Sequence, residues 1–134
     1  MANEAIIRVA PTRAIDMTCA DGTGIEKGAV LKLTDPLTAS ASDGVADVVA
    51  GICAREKIAN DSRTRVAVYR DGIFDMVASG GISVGAAVVT SSGGPNLVET
   101  AAVNAENILG VALETATAGE TFQVELKPFG VNLA

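Results

Sequence analysis

Apolar residues in this chain come in short runs, mostly four to six long, separated by glycine, proline and small polar residues. The stretch Thr64 to Tyr69 alternates between polar and apolar side chains, and Thr121 to Lys127 does the same. A period of two is the mark of a half-buried strand, and such runs set between turn residues predict many short strands. The pattern places them at 6–9, 29–34, 47–54, 64–69, 73–78, 86–90, 97–100, 108–114 and 121–127. Val45 to Val49 also fits a helical turn, because short apolar runs have no decisive period. Asp71-Gly72, flanked by apolar residues, reads as a hairpin turn between the strands either side of it. Pro11 limits the first strand, and residues 1–13 read as an extended N-terminal arm ahead of a β-rich domain over 14–134.

The body of the chain repeats itself. Gly24-Ile25-Glu26-Lys27-Gly28-Ala29-Val30-Leu31-Lys32-Leu33-Thr34 is echoed 57 positions later by Gly81-Ile82-Ser83-Val84-Gly85-Ala86-Ala87-Val88-Val89-Thr90. Asp35-Pro36 answers to Gly94-Pro95, and Ala50-Gly51-Ile52-Cys53-Ala54 answers to Leu109-Gly110-Val111-Ala112-Leu113, both at an offset of 59. Val66-Ala67-Val68 pairs with Val124-Glu125-Leu126 at 58. Two similar β units, about 24–76 and 81–131, are therefore expected to close on each other around one core, as a mainly β fold with little helix: a small barrel or a β-tulip-like domain.

Composition refines this picture. The chain has 134 residues, 49% of them hydrophobic, with no Trp, one Tyr and three Phe, so its core must be built from Ala, Val and Ile in many small contacts. A net charge of -6 argues against nucleic acid, whose binding rests on cations displacing counterions from phosphate. The basic residues gather at Arg55, Lys57, Arg63, Arg65 and Arg70, which read as a solvated loop and strand face. No run of about 18 apolar residues occurs, so no membrane span and no export signal is expected.

Candidate chemistry is sparse. Histidine is absent, which removes the commonest general base and metal ligand. No serine elbow, phosphate-binding loop or calcium loop is present, and Gly22-Thr23-Gly24 with Gly28 has the wrong spacing for a dinucleotide site. Asp71 and Asp75 lie four apart, on one face of a strand, but read more simply as a turn residue and an exposed-edge residue. Asp16 and Asp21 are discounted in the same way. Cys19 and Cys53 match no metal spacing and read as buried free thiols rather than a disulfide. No catalytic, metal or cofactor site is expected, and no enzyme.

The run Val68-Tyr69-Arg70-Asp71-Gly72-Ile73-Phe74-Asp75-Met76, then Gly85-Ala86-Ala87-Val88-Val89, Asn107-Ile108-Leu109-Gly110-Val111-Ala112-Leu113 and Ala118-Gly119-Glu120-Thr121-Phe122-Gln123-Val124-Glu125-Leu126, resembles the capsid cement or head-decoration proteins of tailed bacteriophages. The likeness spans roughly Gly24 to Lys127 and lies in the order and spacing of glycine and aliphatic motifs. It implies a structural virion protein, made in the host cytoplasm, that binds the capsid exterior as a homotrimer at local threefold positions and stiffens the shell. It further implies that the arm pairs with the major capsid protein, through Ile6, Ile7, Arg8 and Val9, with Ile7 and Val9 facing one way and Ile6 and Arg8 the other. Two further readings fit a scaffold of this kind: a glycan-binding or adhesin-type virion appendage, and a small enzyme. The scarcity of Trp and Tyr counts against glycan recognition.

Overall fold

The computed structural model describes residues 2–12, 14–102 and 106–131. Among these there are eleven strands and no helix. In chain order they are β1 (Ile6–Val9), β2 (Ala14–Thr18), β3 (Val30–Thr34), β4 (Thr38–Ala41), β5 (Val49–Cys53), β6 (Arg65–Tyr69), β7 (Ile73–Ala78), β8 (Ala87–Thr90), β9 (Leu97–Thr100), β10 (Glu106–Ala112) and β11 (Thr121–Val131). Strands β2-β4-β3-β5-β6 close into one five-stranded barrel. Strands β7-β11-β10-β8-β9 close into a second, and β1 lies outside it on β7. Each barrel is sealed by one short parallel pairing, Thr18 with Thr38 in the first and Val77 with Leu97 in the second.

The mainly β expectation holds, but each unit closes on itself instead of sharing one sheet-on-sheet core. The first barrel fills its interior with ten non-aromatic side chains, among them Met17, Cys19, Ala29, Leu31, Ala50 and Val68. A five-stranded barrel is too narrow for bulky layers, so an Ala- and Val-rich sequence suits it. The second barrel takes the aromatic residues, Phe74 and Phe122, with Met76, Val88, Leu109 and Val124. Its cluster extends across the joint to Val30, Val49 and Ile52, which point outward from the first barrel.

Strand registers define which residues of the two units are equivalent. Leu31 opposes Gly51 as Val88 opposes Gly110, and Met17 opposes Val66 as Met76 opposes Phe122. Val66 thus corresponds to Phe122 and Val68 to Val124, two residues away from the match that the sequence suggested. The alternating strand explains the slip: moving an apolar-polar pattern by two restores it. At Gly51 and Gly110 an added Cβ would lie 2.0 Å from the Tyr69 carbonyl oxygen and 2.2 Å from that of Glu125. Only glycine lets the neighbouring strand approach so closely, and the requirement recurs in both units.

Two local expectations are corrected. Asp71-Gly72 does not make a hairpin, because β6 and β7 belong to different barrels and do not pair. The segment 45–49 forms a turn leading into β5 instead of a helical turn.

Candidate functional site

Strand β1 is where the sequence placed a contact surface, and the structure brings Ile6, Ile7, Arg8 and Val9 together there. All four are exposed, Ile6 by 62% and Val9 by 53%. β1 pairs antiparallel with β7, Ile6 opposite Asp75, Ile7 opposite Phe74 and Val9 opposite Ile73. Arg8 is the extra residue of a bulge, and this breaks the strict alternation read from sequence. Paired residues point to the same face, so Ile6 and Val9 share the outer face with Asp75 and Ile73, while Ile7 turns inward beside Phe74. The Arg8 Nε sits 3.4 Å from Asp75 Oδ2 on that outer face. Asp75 is accordingly no exposed-edge residue, since β7 has β1 on one side and β11 on the other.

The leading segment is fastened along its length. Asn96 Nδ2 donates to the Ala2 carbonyl at 2.7 Å, Ala5 N donates to the Gly28 carbonyl at 2.8 Å, and Ala5 is buried. Further on, Thr12 N donates to the Asp71 carboxylate at 3.2 Å, and the Thr12 hydroxyl bonds the same group. Gly72 follows at a φ of +111° with the Val9 carbonyl oxygen 3.1 Å from where a Cβ would sit. Asp71-Gly72 is therefore a crossover between barrels that clasps the base of β1. Beside β1 runs an apolar groove of about 400 Å³, lined by Ile6, Ile7, Lys27, Ile52, Tyr69 and Phe74.

The joint between barrels rests on three polar side chains of the second. Asn96, buried, accepts from Val30 N at 2.9 Å. The buried Thr90 hydroxyl accepts from Asp47 N and donates to the Gly44 carbonyl, each at 2.9 Å. Asn107 Nδ2 donates to the Ala46 carbonyl at 3.0 Å. The turn at 44–47 of the first barrel thus caps one end of the second. Asn96 stands at a φ of +60°, a left-handed conformation that asparagine tolerates.

The basic cluster divides. Lys57 is buried rather than solvated, its Nζ donating to Asp61 Oδ1 at 2.8 Å, Asp21 Oδ1 at 3.2 Å and the carbonyls of Asp21 and Ile58. Burial pulls the Lys57 pKa down, but the hydrogen bonds to Asp61 and Asp21 outweigh it and leave the ammonium favoured. The bond from Lys57, with others from Arg63, holds the Asp61 carboxyl far below the usual carboxylate range. Asp21 is accordingly part of this staple, which no sequence motif announced. Arg70 is half-buried and ties down the Ala50 carbonyl at 2.8 Å, whereas Arg55, Arg63 and Arg65 are exposed as expected. Cys19 and Cys53 are free and buried, and burial raises both thiol pKa values. Among the described residues no group of three or more Cys, Asp or Glu side chains is placed to hold a metal.

The molecule is thus two barrels joined end to side by polar bonds, with an exposed edge strand held on the outside of the second. The chain belongs to the phage cement protein family, whose profile matches residues 9–128. It is thus a capsid-associated structural protein of a phage virion, in a family of structural rather than enzymatic proteins. Among solved structures it is similar to the head fiber gp8.5 N base in bacteriophage phi29, at 13% identity and a TM-score of 0.56, over 89% of this chain and 97% of that one. At that identity the likeness shows the fold. No curated protein matches the chain.

Proposed function

We propose that this protein cements the outer surface of the assembled capsid, binding as a trimer at local threefold positions through strand β1. The observation that carries the reading is β1 itself. It ends the sheet order, so its main-chain groups on the side away from β7 have no strand partner among the described residues. The strand is short and bulged at Arg8, which narrows the partners it can pair with, and its exposed Ile6 and Val9 leave an apolar face for one that fits. An extended segment of the major capsid protein added here gains main-chain hydrogen bonds, with Ile6 and Val9 on one face and the groove beside Ile7 on the other choosing the register. Three copies joined in one particle convert a weak contact into slow release. A protein that binds only the assembled shell stabilises it by mass action, with no chemical step. The head-fibre likeness supports a place on the outside of a head.

The test is co-sedimentation with mature shells. Deleting residues 2–12 removes no barrel strand and is expected to abolish binding, with circular dichroism checking that the barrels persist, and Ile6→Asp with Val9→Asp, which keeps the rest of the segment, is expected to weaken it at least about tenfold, since two buried aliphatic contacts are lost. Binding by both variants at the wild-type level refutes the assignment of β1.

A further inference from the structure

Both barrels present the same row of outward residues across their strands, and only one of the two rows is covered. In the first barrel Tyr69 opposes Ala14 and Ile52, and Ile52 opposes Val30. In the second, Glu125 opposes Ile73 and Val111, and Val111 opposes Ala87. The close-approach glycines Gly51 and Gly110, each one residue ahead of Ile52 and Val111, mark the rows as equivalent. Val30 and Ile52 are fully buried in the core cluster of the second barrel, and Tyr69 packs against it. This face of the unit thus already serves as a docking face once within the chain. Its counterparts Ile73, Val111 and Ala87 are only half-buried.

The uncovered row is also the longer one. Val9 of β1 opposes Ile73, so the row runs Val9, Ile73, Glu125, Val111, Ala87 over five strands, about 19 Å at the usual strand spacing. Four of these five residues are aliphatic, whereas an antiparallel sheet with one face in water carries polar side chains there. A parallel row joins Ile6, Asp75, Gln123 and Leu113, and both of its aliphatic ends are exposed. The charges on the face answer one another, Arg8 lying against Asp75 and Lys127 against Glu125. What is left to bind is apolar area.

We infer that this outer face, from Ile6 and Val9 across to Val111 and Leu113, seats the capsid subunit whose segment adds to β1. The inference rests on the β1 reading and widens the contact from an edge to a face. Continuity assigns the occupant: a strand added to the edge of β1 widens the same sheet, its outward side chains fall in line with Ile6 and Val9, and the body that carries it lies over the rows beyond. A strand of four residues offers few main-chain bonds by itself. The face supplies the apolar burial that the edge lacks.

Co-sedimentation of the full chain with mature shells tests it, with sedimentation equilibrium run on the same variants. Val111→Lys with Leu113→Lys lies beyond β7 and β11 from β1, at partly exposed positions where a lysine can keep its ammonium in water, and circular dichroism checks that the fold persists. It is expected to weaken shell binding at least about tenfold at an unchanged oligomeric state. Val111→Thr, which keeps the β-branched shape, is expected to weaken it about threefold. Ile58→Lys, at a site 60% exposed on the first barrel, is expected to bind as the wild type does, and an equal loss there overturns the assignment. Wild-type affinity in the Val111 and Leu113 variant, with weak binding by Ile6→Asp and Val9→Asp, overturns this inference and leaves the β1 reading standing. Wild-type affinity in both overturns both. Weak binding that comes with a loss of self-association also overturns it, because the face then covers another copy of this chain.

Discussion

Replacing Asn96 by leucine gives the second barrel the residue that the first carries at Leu37, and its cost follows from the contacts removed. Val30 N loses its acceptor at a residue of 0% exposure, and an unsatisfied buried amide costs about 1–3 kcal/mol. The Ala2 carbonyl loses a donor but belongs to an exposed residue that water can reach, which adds up to about 1 kcal/mol. Leucine in the left-handed region adds about 1 kcal/mol more than asparagine does. The total is roughly 2–5 kcal/mol, a large part of the ~5–15 kcal/mol that holds a domain together. For a chain of this length it lowers the melting temperature by about 10 °C. Thermal unfolding followed by circular dichroism measures it, with Asn96→Asp as the control: the carboxylate still accepts from Val30 N but faces the Ala2 carbonyl without a donor, so an intermediate loss is expected. The converse change, Leu37→Asn, relieves strain and is expected to stabilise the isolated chain by up to about 1 kcal/mol. An Asn96→Leu protein melting within about 2 °C of wild type would refute the claim that this side chain holds the barrels together.

The glycine pair and the lysine staple yield two more predictions. Gly51→Ala and Gly110→Ala each drive a Cβ into a neighbouring carbonyl, so both should destabilise by about 1–3 kcal/mol, and Gly51→Ala by more because it also sits at a φ of +143°; denaturant midpoints rank them, and an equal or reversed order counts against the φ argument. The depressed Asp61 carboxyl contributes stability that is fully present above its unfolded value near 3.8 and is lost as pH falls from there toward its lower folded value. The raised Lys57 contributes stability that is fully present below its unfolded value near 10.5 and is lost as pH rises past it. Melting temperature against pH should therefore fall below about pH 4 in the wild type and be flatter there in Asp61→Asn; parallel profiles would show that the staple does not matter.

Much of the architecture was legible in sequence because a strand's alternation and a turn's glycine are local facts. The echo of Gly24 to Thr34 in Gly81 to Thr90 does mark equivalent positions, since Gly28 and Gly85 share left-handed φ values of +88° and +85°. What failed depended on distant partners. Asp71-Gly72 has the residues of a hairpin, yet each flanking strand pairs better with others far along the chain. Lys57 lies among arginines in sequence, and its burial rests on Asp61 together with Asp21, 36 residues away. Asn96 stands in no sequence motif; its two hydrogen bonds reach 66 and 94 residues away. The bulge at Arg8 left no trace in the pattern either, although it decides which residues of β1 face outward.

Strand β7 touches β1 and β9 along one flank and β11 along the other. Under the proposed contact, a pull delivered along β1 would load β7 lengthwise, in shear, so the ladder bonds between them would share it at once. The closed hoop behind β7 spreads that load round its circumference.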